Sequence, residues 1–429
     1  MNDVCLESAL RRSPDQCAVI HGDIAVSYRQ LHNDTLAISE RLKEYPAGSL
    51  VEITSDQPAR IISALAAIRL SGHVPVLRPL DQAHASECFE ASSGIALIGE
   101  PPASANITQD SIILHTSGTS GTPKAIVHGW ASLCDAVHFG PSYQRKRWLS
   151  GYHPGSFAGL QVLLQSVLAQ GTLVIASRQA DDISDQIRAH DVEFASGTPT
   201  YWRAFLFGTS DKTPTQSLRQ VTVGGEVVDQ LLLDQLGSRF PAARISQIYA
   251  STEQGVCFSV HDHMAGFPAA WLENNRGPCP MRMAESGELL LQSPRRMKGY
   301  LADEHTLNDG QTWFHTGDLV EIVGDRAMFR GRVGDTINVG GHMVTPSCVE
   351  EVIRRVPGVV ETRAYGVPSS LVGQVVAAEI QVAAHAEAAK VRRDVMAVCR
   401  SSLPKHMVPA MLNTSAQPLS QRTKLTRSA

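Results

Sequence analysis

The sequence predicts an α/β protein in which a large N-terminal domain carries mostly parallel sheets and a small α+β domain follows. Three observations point to it. The chain is 429 residues long, more than one small core organises, so two domains are expected. From about residue 110 to 330, short β-rich runs alternate with helical patterns, the signature of βα units whose sheet offers a ligand site at its strand ends. Beyond residue 330 the pattern becomes a compact mixture of both, and the change falls on Gly331-Arg-Val-Gly-Asp335, a glycine-flanked joint. The boundary is placed there, giving domains 1–331 and 332–429.

Taken in order, Ser111–His115, Gly171–Ala176, Arg219–Val223 and Arg244–Tyr249 read as strands, being short and rich in aliphatic and β-branched residues. Gly159–Ala169 and Val228–Arg239 carry apolar residues at helical spacing. The second domain is expected to run as strand 335–339, helix 346–355, strands near 359–366 and 374–382, and helix 386–402. No internal repeat or low-complexity run interrupts the chain.

Composition narrows the class. The chain is 43% hydrophobic and 19% charged with net charge −4, an ordinary globular balance that gives no reason to expect a nucleic-acid partner. No window of about 18 uncharged apolar residues occurs, so stable membrane insertion is not expected. Met1-Asn-Asp-Val-Cys-Leu-Glu-Ser8 lacks the basic start and apolar run of a signal peptide, so a cytoplasmic location is expected. The eight cysteines form no CxxC pair, which argues against zinc and for free thiols. Residues 335–429 hold 11 Lys/Arg against 7 Asp/Glu, a surplus that could face an anionic partner.

The strongest local signal is His115-Thr-Ser-Gly-Thr-Ser-Gly-Thr-Pro-Lys124, directly after a β-rich run. Its glycines turn the backbone so that N–H groups point inward, its hydroxyls add donors, and Lys124 adds a cation. That is the inventory of a polyphosphate-holding loop. It is not the Walker-type loop, because no Gly-Lys-[Ser/Thr] stands at the right spacing.

This loop resembles the phosphate loop of the adenylate-forming (ANL) superfamily, which includes acyl-CoA synthetases, adenylation domains and luciferases. Four further blocks match in the same order: Tyr249-Ala-Ser-Thr-Glu-Gln-Gly255, His315-Thr-Gly-Asp318, Gly331-Arg-Val-Gly-Asp-Thr-Ile-Asn338 and Pro418-Leu-Ser-Gln-Arg-Thr-Lys424. The likeness runs from roughly residue 110 to the end, and His21–Leu31 resembles the family's opening strand-turn-helix. The short stretch before residue 110 is typical of compact bacterial ligases of this type.

The resemblance implies the ANL fold with a mobile C-terminal lid, and an enzyme that uses ATP and Mg2+ to turn a carboxylic acid into acyl-AMP. It implies that Thr116, Ser117, Gly118, Thr119, Ser120, Gly121, Thr122 and Lys124 hold phosphates. In the second block, Tyr249 would stack on adenine with Ala250 and Ser251 beside it. Thr252 would contact the α-phosphate and Glu253 would hold Mg2+, a cation that prefers hard oxygen donors. Gly224, Gly225 and Glu226 look like the adenine-side loop, where missing Cβ atoms admit a flat base. Asp318 would accept from the ribose hydroxyls, and Arg332 would reach the same nucleotide from the joint.

Lys424 matches the catalytic lysine. The chemistry needs a cation there, because an anionic carboxylate must attack an anionic phosphate. Thr423 replaces the glycine usual before it. The family alternates two half-reactions by rotating the lid about the joint. Gly334 sits where relatives carry aspartate or lysine as the hinge, and Gly340 and Gly341 would line the pantetheine channel.

Tyr152-His153-Pro-Gly-Ser-Phe157 resembles the aromatic/His block of the acyl pocket, and His153 is taken as a catalytic-site residue. No carboxylate occurs between Gly151 and Ala180, so the ammonium of an amino acid would be buried unpaired. A fatty, aryl or other simple acid is therefore expected. Tyr201, Trp202 and Phe205 could shape the pocket, but such residues on a short helix more often belong to the core. The acceptor is expected to be CoA, or alternatively the phosphopantetheine of an acyl or aryl carrier protein. A non-catalytic nucleotide-binding relative is the reading of another class.

Overall fold

The computed structural model describes residues 6–78, 94–101, 107–116, 124–176, 180–208, 217–273, 276–301, 313–369, 371–383, 386–415 and 419. Six parallel strands form the centre of an eight-stranded sheet: Cys17–His21, Thr172–Ile175, Arg147–Ser150, Phe194–Gly197, Gln220–Gly224 and Arg244–Ser251, in that spatial order. Antiparallel strands Ile24–Ser27 and Gly255–Val260 close its two edges. Phe194–Gly197 is buried at every position, as a parallel strand covered on both faces must be.

A second, six-stranded sheet mixes parallel and antiparallel pairs and contains the hairpin Ser111–His115/Ala125–Gly129. The main core fills the space between these two sheets. Helices Tyr28–Leu42, Pro58–Leu70 and Phe157–Leu168 lie in it, packed by Leu31, Ile62 and Leu164 against strand residues Val19, Leu173, Ile53 and Ile112. Phe157–Leu168 is apolar nearly all round because protein surrounds it. Its start is set by Ser156, whose side chain accepts from Gly159 N–H, just as Ser27 and Gln30 form a capping box for Tyr28–Leu42. On the other face of the eight-stranded sheet, helices Ala180–Ala189, Pro199–Gly208 and Gln230–Arg239 bury a second cluster that includes Trp202 and Phe205.

Five strands between Phe267 and Arg332 make a third sheet that is wholly antiparallel, with its own core around Phe258, Phe267 and Leu289. The alternation expected up to residue 330 does not include it. Three of its strands are short, as in Met281–Met283 and Phe267–Pro268, and no α-helix alternates with them in the chain to mark them.

The last sheet comprises Ile337–Val339, His342–Val344, Val359–Ser369, Gly373–Val382 and Met411–Ser415, with helices Pro346–Arg354 and Ala388–Ser402 packed on Val349, Ile353 and Val395. This order follows the expected one with two strands added: His342–Val344, antiparallel to Ile337–Val339, and Met411–Ser415, parallel to Gly373–Val382.

Candidate active site

The groups singled out in the sequence gather at strand ends and hairpin tips. Thr116 and Lys124 are the two feet of the Ser/Thr/Gly loop, joined by Thr116 N–H donating to the Lys124 carbonyl at 3.0 Å. The strands below pair in register from Ser111↔Gly129 to His115↔Ala125. Lys124 Nζ sits 5.1 Å from the centre of the Tyr300 ring, a cation–π contact that holds the ammonium at the base of the loop. Ser117, Gly118, Thr119, Ser120, Gly121 and Thr122 lie outside the described residues, as does Lys424.

Thr252 and Glu253 occupy the tip of the hairpin formed by Arg244–Ser251 and Gly255–Val260. Two bonds from elsewhere fix this tip. Met297 N–H donates to the Glu253 carbonyl at 2.7 Å, and His128 Nε2 bonds the Thr252 carbonyl. A carbonyl only accepts, so His128 carries its proton on Nε2. Burial holds His128 below its ordinary value, opposed by that bond, so the ring stays neutral. His128 escaped the sequence reading. It lies one strand below the phosphate loop, but its partner is 124 residues away.

Glu253 is partly exposed. A single carboxylate beside phosphates suits Mg2+, which keeps waters and takes one or two protein oxygens, so Glu253 fits the role. No cluster of three or more metal-ligating side chains occurs among the described residues, and none is needed for that mode.

The adenine-side loop is held differently from the expectation. A Cβ on Gly224 would stand 2.8 Å from the Ile248 carbonyl oxygen, so that missing side chain admits the neighbouring strand rather than a base. Glu226 is tied to a helix: one carboxylate oxygen accepts from Thr200 N–H at 3.1 Å and from Thr200 Oγ1 at 2.6 Å. It clips the loop to the start of helix Pro199–Gly208. Tyr152 adds a second tie, its hydroxyl within reach of the Gly197 carbonyl (2.9 Å) and the Gly224 carbonyl (3.2 Å).

Tyr249 also differs. Its ring is stacked against Phe258 and Phe329, each with centroids 5.0 Å away. The stacking assigned to adenine is thus supplied by the protein's own rings. Its hydroxyl donates to Asp318 Oδ2 at 2.6 Å, while Arg332 Nε lies 3.1 Å from Asp318 Oδ1. Each oxygen keeps a free lone pair for a ribose hydroxyl. Burial raises the Asp318 carboxyl above its ordinary value, with Arg332 and the Tyr249 bond opposing.

Asp318 lies within strand Phe314–Val323, at a bulge opposite Glu288–Leu290 where Gly317 takes a φ of +72°, the left-handed region. Gly317 N–H donates to Glu288 Oε1 at 2.8 Å, and Arg332 donates a second bond to the Thr316 carbonyl at 2.7 Å.

His153 heads helix Phe157–Leu168. Its carbonyl accepts from Ser156 N–H at 2.9 Å and Ser156 Oγ at 2.7 Å, and Gly155 N–H donates to its Nδ1 at 3.1 Å. Trp202 and Phe205 are wholly buried core residues, Trp202 Nε1 donating to the Thr222 carbonyl at 3.0 Å, so they do not line a pocket. Tyr201 stays beside the acyl loop with a buried hydroxyl that meets no protein partner. Gly334 lies in a short 3-10 turn, and Gly340 and Gly341 form the exposed turn between Ile337–Val339 and His342–Val344.

The model of the AMP-binding enzyme family matches residues 79–301, and that of the AMP-binding enzyme C-terminal domain matches 348–424. A 2-succinylbenzoate–CoA ligase of Bacillus licheniformis is 26% identical, covering 86% of this chain and 87% of the relative. A D-alanine–D-alanyl carrier protein ligase of Staphylococcus aureus is 22% identical, covering 98% and 97%. The solved o-succinylbenzoate CoA synthetase of Bacillus subtilis in complex with its acyl-adenylate superposes with a TM-score of 0.73 at 21% identity, covering 96% of this chain and 94% of that one. Its complex with ATP and magnesium ion gives 0.70 at 20% identity, covering 96% and 95%.

Proposed function

The chain belongs to the AMP-binding enzyme family, and we propose that it ligates an aromatic carboxylic acid to CoA. It is an AMP-forming acid–thiol ligase: ATP and a carboxylic acid give acyl-AMP and pyrophosphate, and a thiol then takes the acyl group. The observation that carries the residue assignments is the Tyr249–Asp318–Arg332 group, a carboxylate held at the site with acceptor capacity left on both oxygens.

In this reading Asp318 accepts from the ribose hydroxyls, and Arg332 both orients Asp318 and offers charge to the nucleotide. Thr116, Lys124 and the residues between them receive the phosphates. Glu253 holds Mg2+, which draws charge off the phosphate oxygens when bound. His128 keeps the Thr252–Glu253 turn in place. A carboxylate oxygen of the acid forms a bond to the α-phosphorus as the bond to pyrophosphate breaks, and Lys424 neutralises the charge between them. In the second step the thiolate sulfur bonds the acyl carbon, and AMP leaves with the electron pair of the broken C–O bond. Gly334 then serves as the hinge, and Gly340 and Gly341 pass the thiol arm.

The choice of acid rests on the segment 151–180, which holds no carboxylate to pair an ammonium, and on the aromatic rings of Tyr152 within it and Tyr201 near Gly151. The 2-succinylbenzoate ligases, named as CoA enzymes, support an aryl acid and CoA. The basic surplus in residues 335–429 favours a second reading, an acidic carrier protein as acceptor. Incubation with ATP, Mg2+, hydroxylamine and benzoate, anthranilate, 2-succinylbenzoate, hexanoate or D-alanine should give hydroxamate with an aromatic acid. Hydroxamate from D-alanine alone would defeat the choice of acid, and none from any acid would defeat the ligase reading. CoA or a phosphopantetheinylated carrier protein, added afterwards, separates the acceptors.

A further inference from the structure

The loop that follows strand Gln220–Gly224 is fastened at two points to one helix. Glu226 accepts from Thr200, and Asp229 Oδ2 lies 2.6 Å from Arg203 NH2. Thr200 and Arg203 stand one turn apart on helix Pro199–Gly208, matching the three-residue spacing of Glu226 and Asp229. Asp229 also caps helix Gln230–Arg239, its Oδ1 accepting from Leu232 N–H at 2.9 Å.

A third group reaches Asp229 from the C-terminal domain. Arg354, the last residue of helix Pro346–Arg354, places NH1 3.2 Å from Asp229 Oδ2 and NH2 3.1 Å from Glu350 Oε2. All three charged side chains are largely buried, with 14–18% of Arg203, Asp229 and Arg354 exposed. Strand Val359–Ser369 packs on helix Pro199–Gly208 beside this contact. The same strand carries Glu361, whose Oε2 accepts Leu419 N–H at 2.9 Å at the head of the block that ends in Lys424. In this arrangement Gly340 and Gly341 stand in solvent.

We propose that Asp229 is a positioning residue which, through Arg354, registers the lid against the nucleotide-side loop for the first half-reaction and must release it for the second. The inference rests on the two-step ligase reading above. Asp229 does not depend on the contact: without Arg354 it keeps Arg203 and its helix-capping bond. Within the lid, Glu350 keeps its bond from Ala364 N–H but gives up its partner on Arg354.

The test compares the protein with its Arg354→Met and Arg354→Lys variants. Hydroxamate formation, with whichever acid of the panel the parent activates best, reads the first step. Thioester formation from CoA and the synthetic adenylate of that acid reads the second. Arg354→Met is expected to slow the first step roughly tenfold, within the range of a typical coupling between two sites. It should leave the second unchanged or faster, and Arg354→Lys should recover part of the loss. Equal losses in both steps, or none in either, would overturn the proposal.

A parent that activates no acid refutes the ligase reading instead. Hydrogen exchange then decides the contact: Arg354→Met should expose amides of residues 346–354 and 199–208, and unchanged exchange at both would refute it.

Discussion

Replacing Gly159 by alanine sets two well-known tendencies against each other. In a helix interior alanine is favoured over glycine by about 1 kcal/mol, and Gly159 lies in the first turn of Phe157–Leu168. Its Cβ, however, would stand 2.1 Å from the His153 carbonyl oxygen, 2.8 Å from that carbonyl carbon and 3.0 Å from Pro154 Cα. A carbon–oxygen contact needs roughly 1 Å more than this, and both parties are backbone, so no side chain can rotate away. The His153 carbonyl must move, and with it go the bonds from Ser156 N–H and Ser156 Oγ that hold the acyl loop on the helix.

Overpacking of this kind costs about 1–3 kcal/mol, and each weakened hydrogen bond adds about 0.5–1.5. Less the helix preference, the net loss is about 1–5 kcal/mol. The displacement falls on His153 itself, and a shift of about 1 Å in a positioning element can cost on the order of a hundredfold in rate. Thermal unfolding should therefore shift downward. The acid-dependent kcat/KM in the hydroxamate assay should fall by one to two orders of magnitude, while the KM for ATP changes little. An alanine variant as stable and as active as the parent would refute the close approach and the role given to the loop.

Three further outcomes follow from the site. Asp318 has its carboxyl raised by burial, so ATP binding should weaken on acidification at a pH above the ordinary 3.8, as protonation removes an acceptor from the ribose. By the same sign, the ionised carboxylate costs folding stability at neutral pH, and that cost disappears as pH falls through its raised pKa. Asp318→Asn should remove the pH step and raise the ATP KM about tenfold or more, and an unchanged KM argues against the ribose assignment. His128 is held neutral with its pKa below the ordinary 6.5, so its share of stability is full above 6.5 and is lost as pH falls from there toward the lowered value. His128→Ala leaves the Thr252 carbonyl unsatisfied, costing about 1–3 kcal/mol, and should weaken Mg2+-dependent ATP turnover; urea unfolding followed across pH 5–8 reads the first effect. Lys424→Ala should abolish adenylate formation while ATP still binds, and near-parental pyrophosphate release by that variant removes Lys424 from the chemistry.

Much of this was legible without a structure. Strand Ser111–His115 was read with its observed ends, because a short aliphatic run stops where the hydroxyl- and glycine-rich loop begins. Helix Pro346–Arg354 was read within one residue, fixed by Pro346 in its first turn. Thr252, Glu253, Asp318 and Arg332 could be singled out because each belongs to a contiguous block whose chemistry is local. Such a block carries its own turn, donors and charge in a few residues, and sequence order alone preserves it.

What the tertiary structure decided was the company each residue keeps. Tyr249 was assigned to adenine until Phe258 and Phe329 were found stacked on it. The missing Cβ of Gly224 read as room for a base until Ile248 was found filling that place, and Glu226 gained a tie to Thr200. Trp202 and Phe205 read as core or pocket residues, and the sheet placed both in the core. His128, Asp229 and Arg354 gave no signal at all, since a lone histidine or charge looks like any other on a surface. Their partners lie 124 and 125 residues away, and no periodicity or spacing encodes a pairing at that distance. Local propensity and motif chemistry determined which groups the protein carries. Packing, by choosing which buried donor finds which acceptor, determined what remains free to meet a substrate.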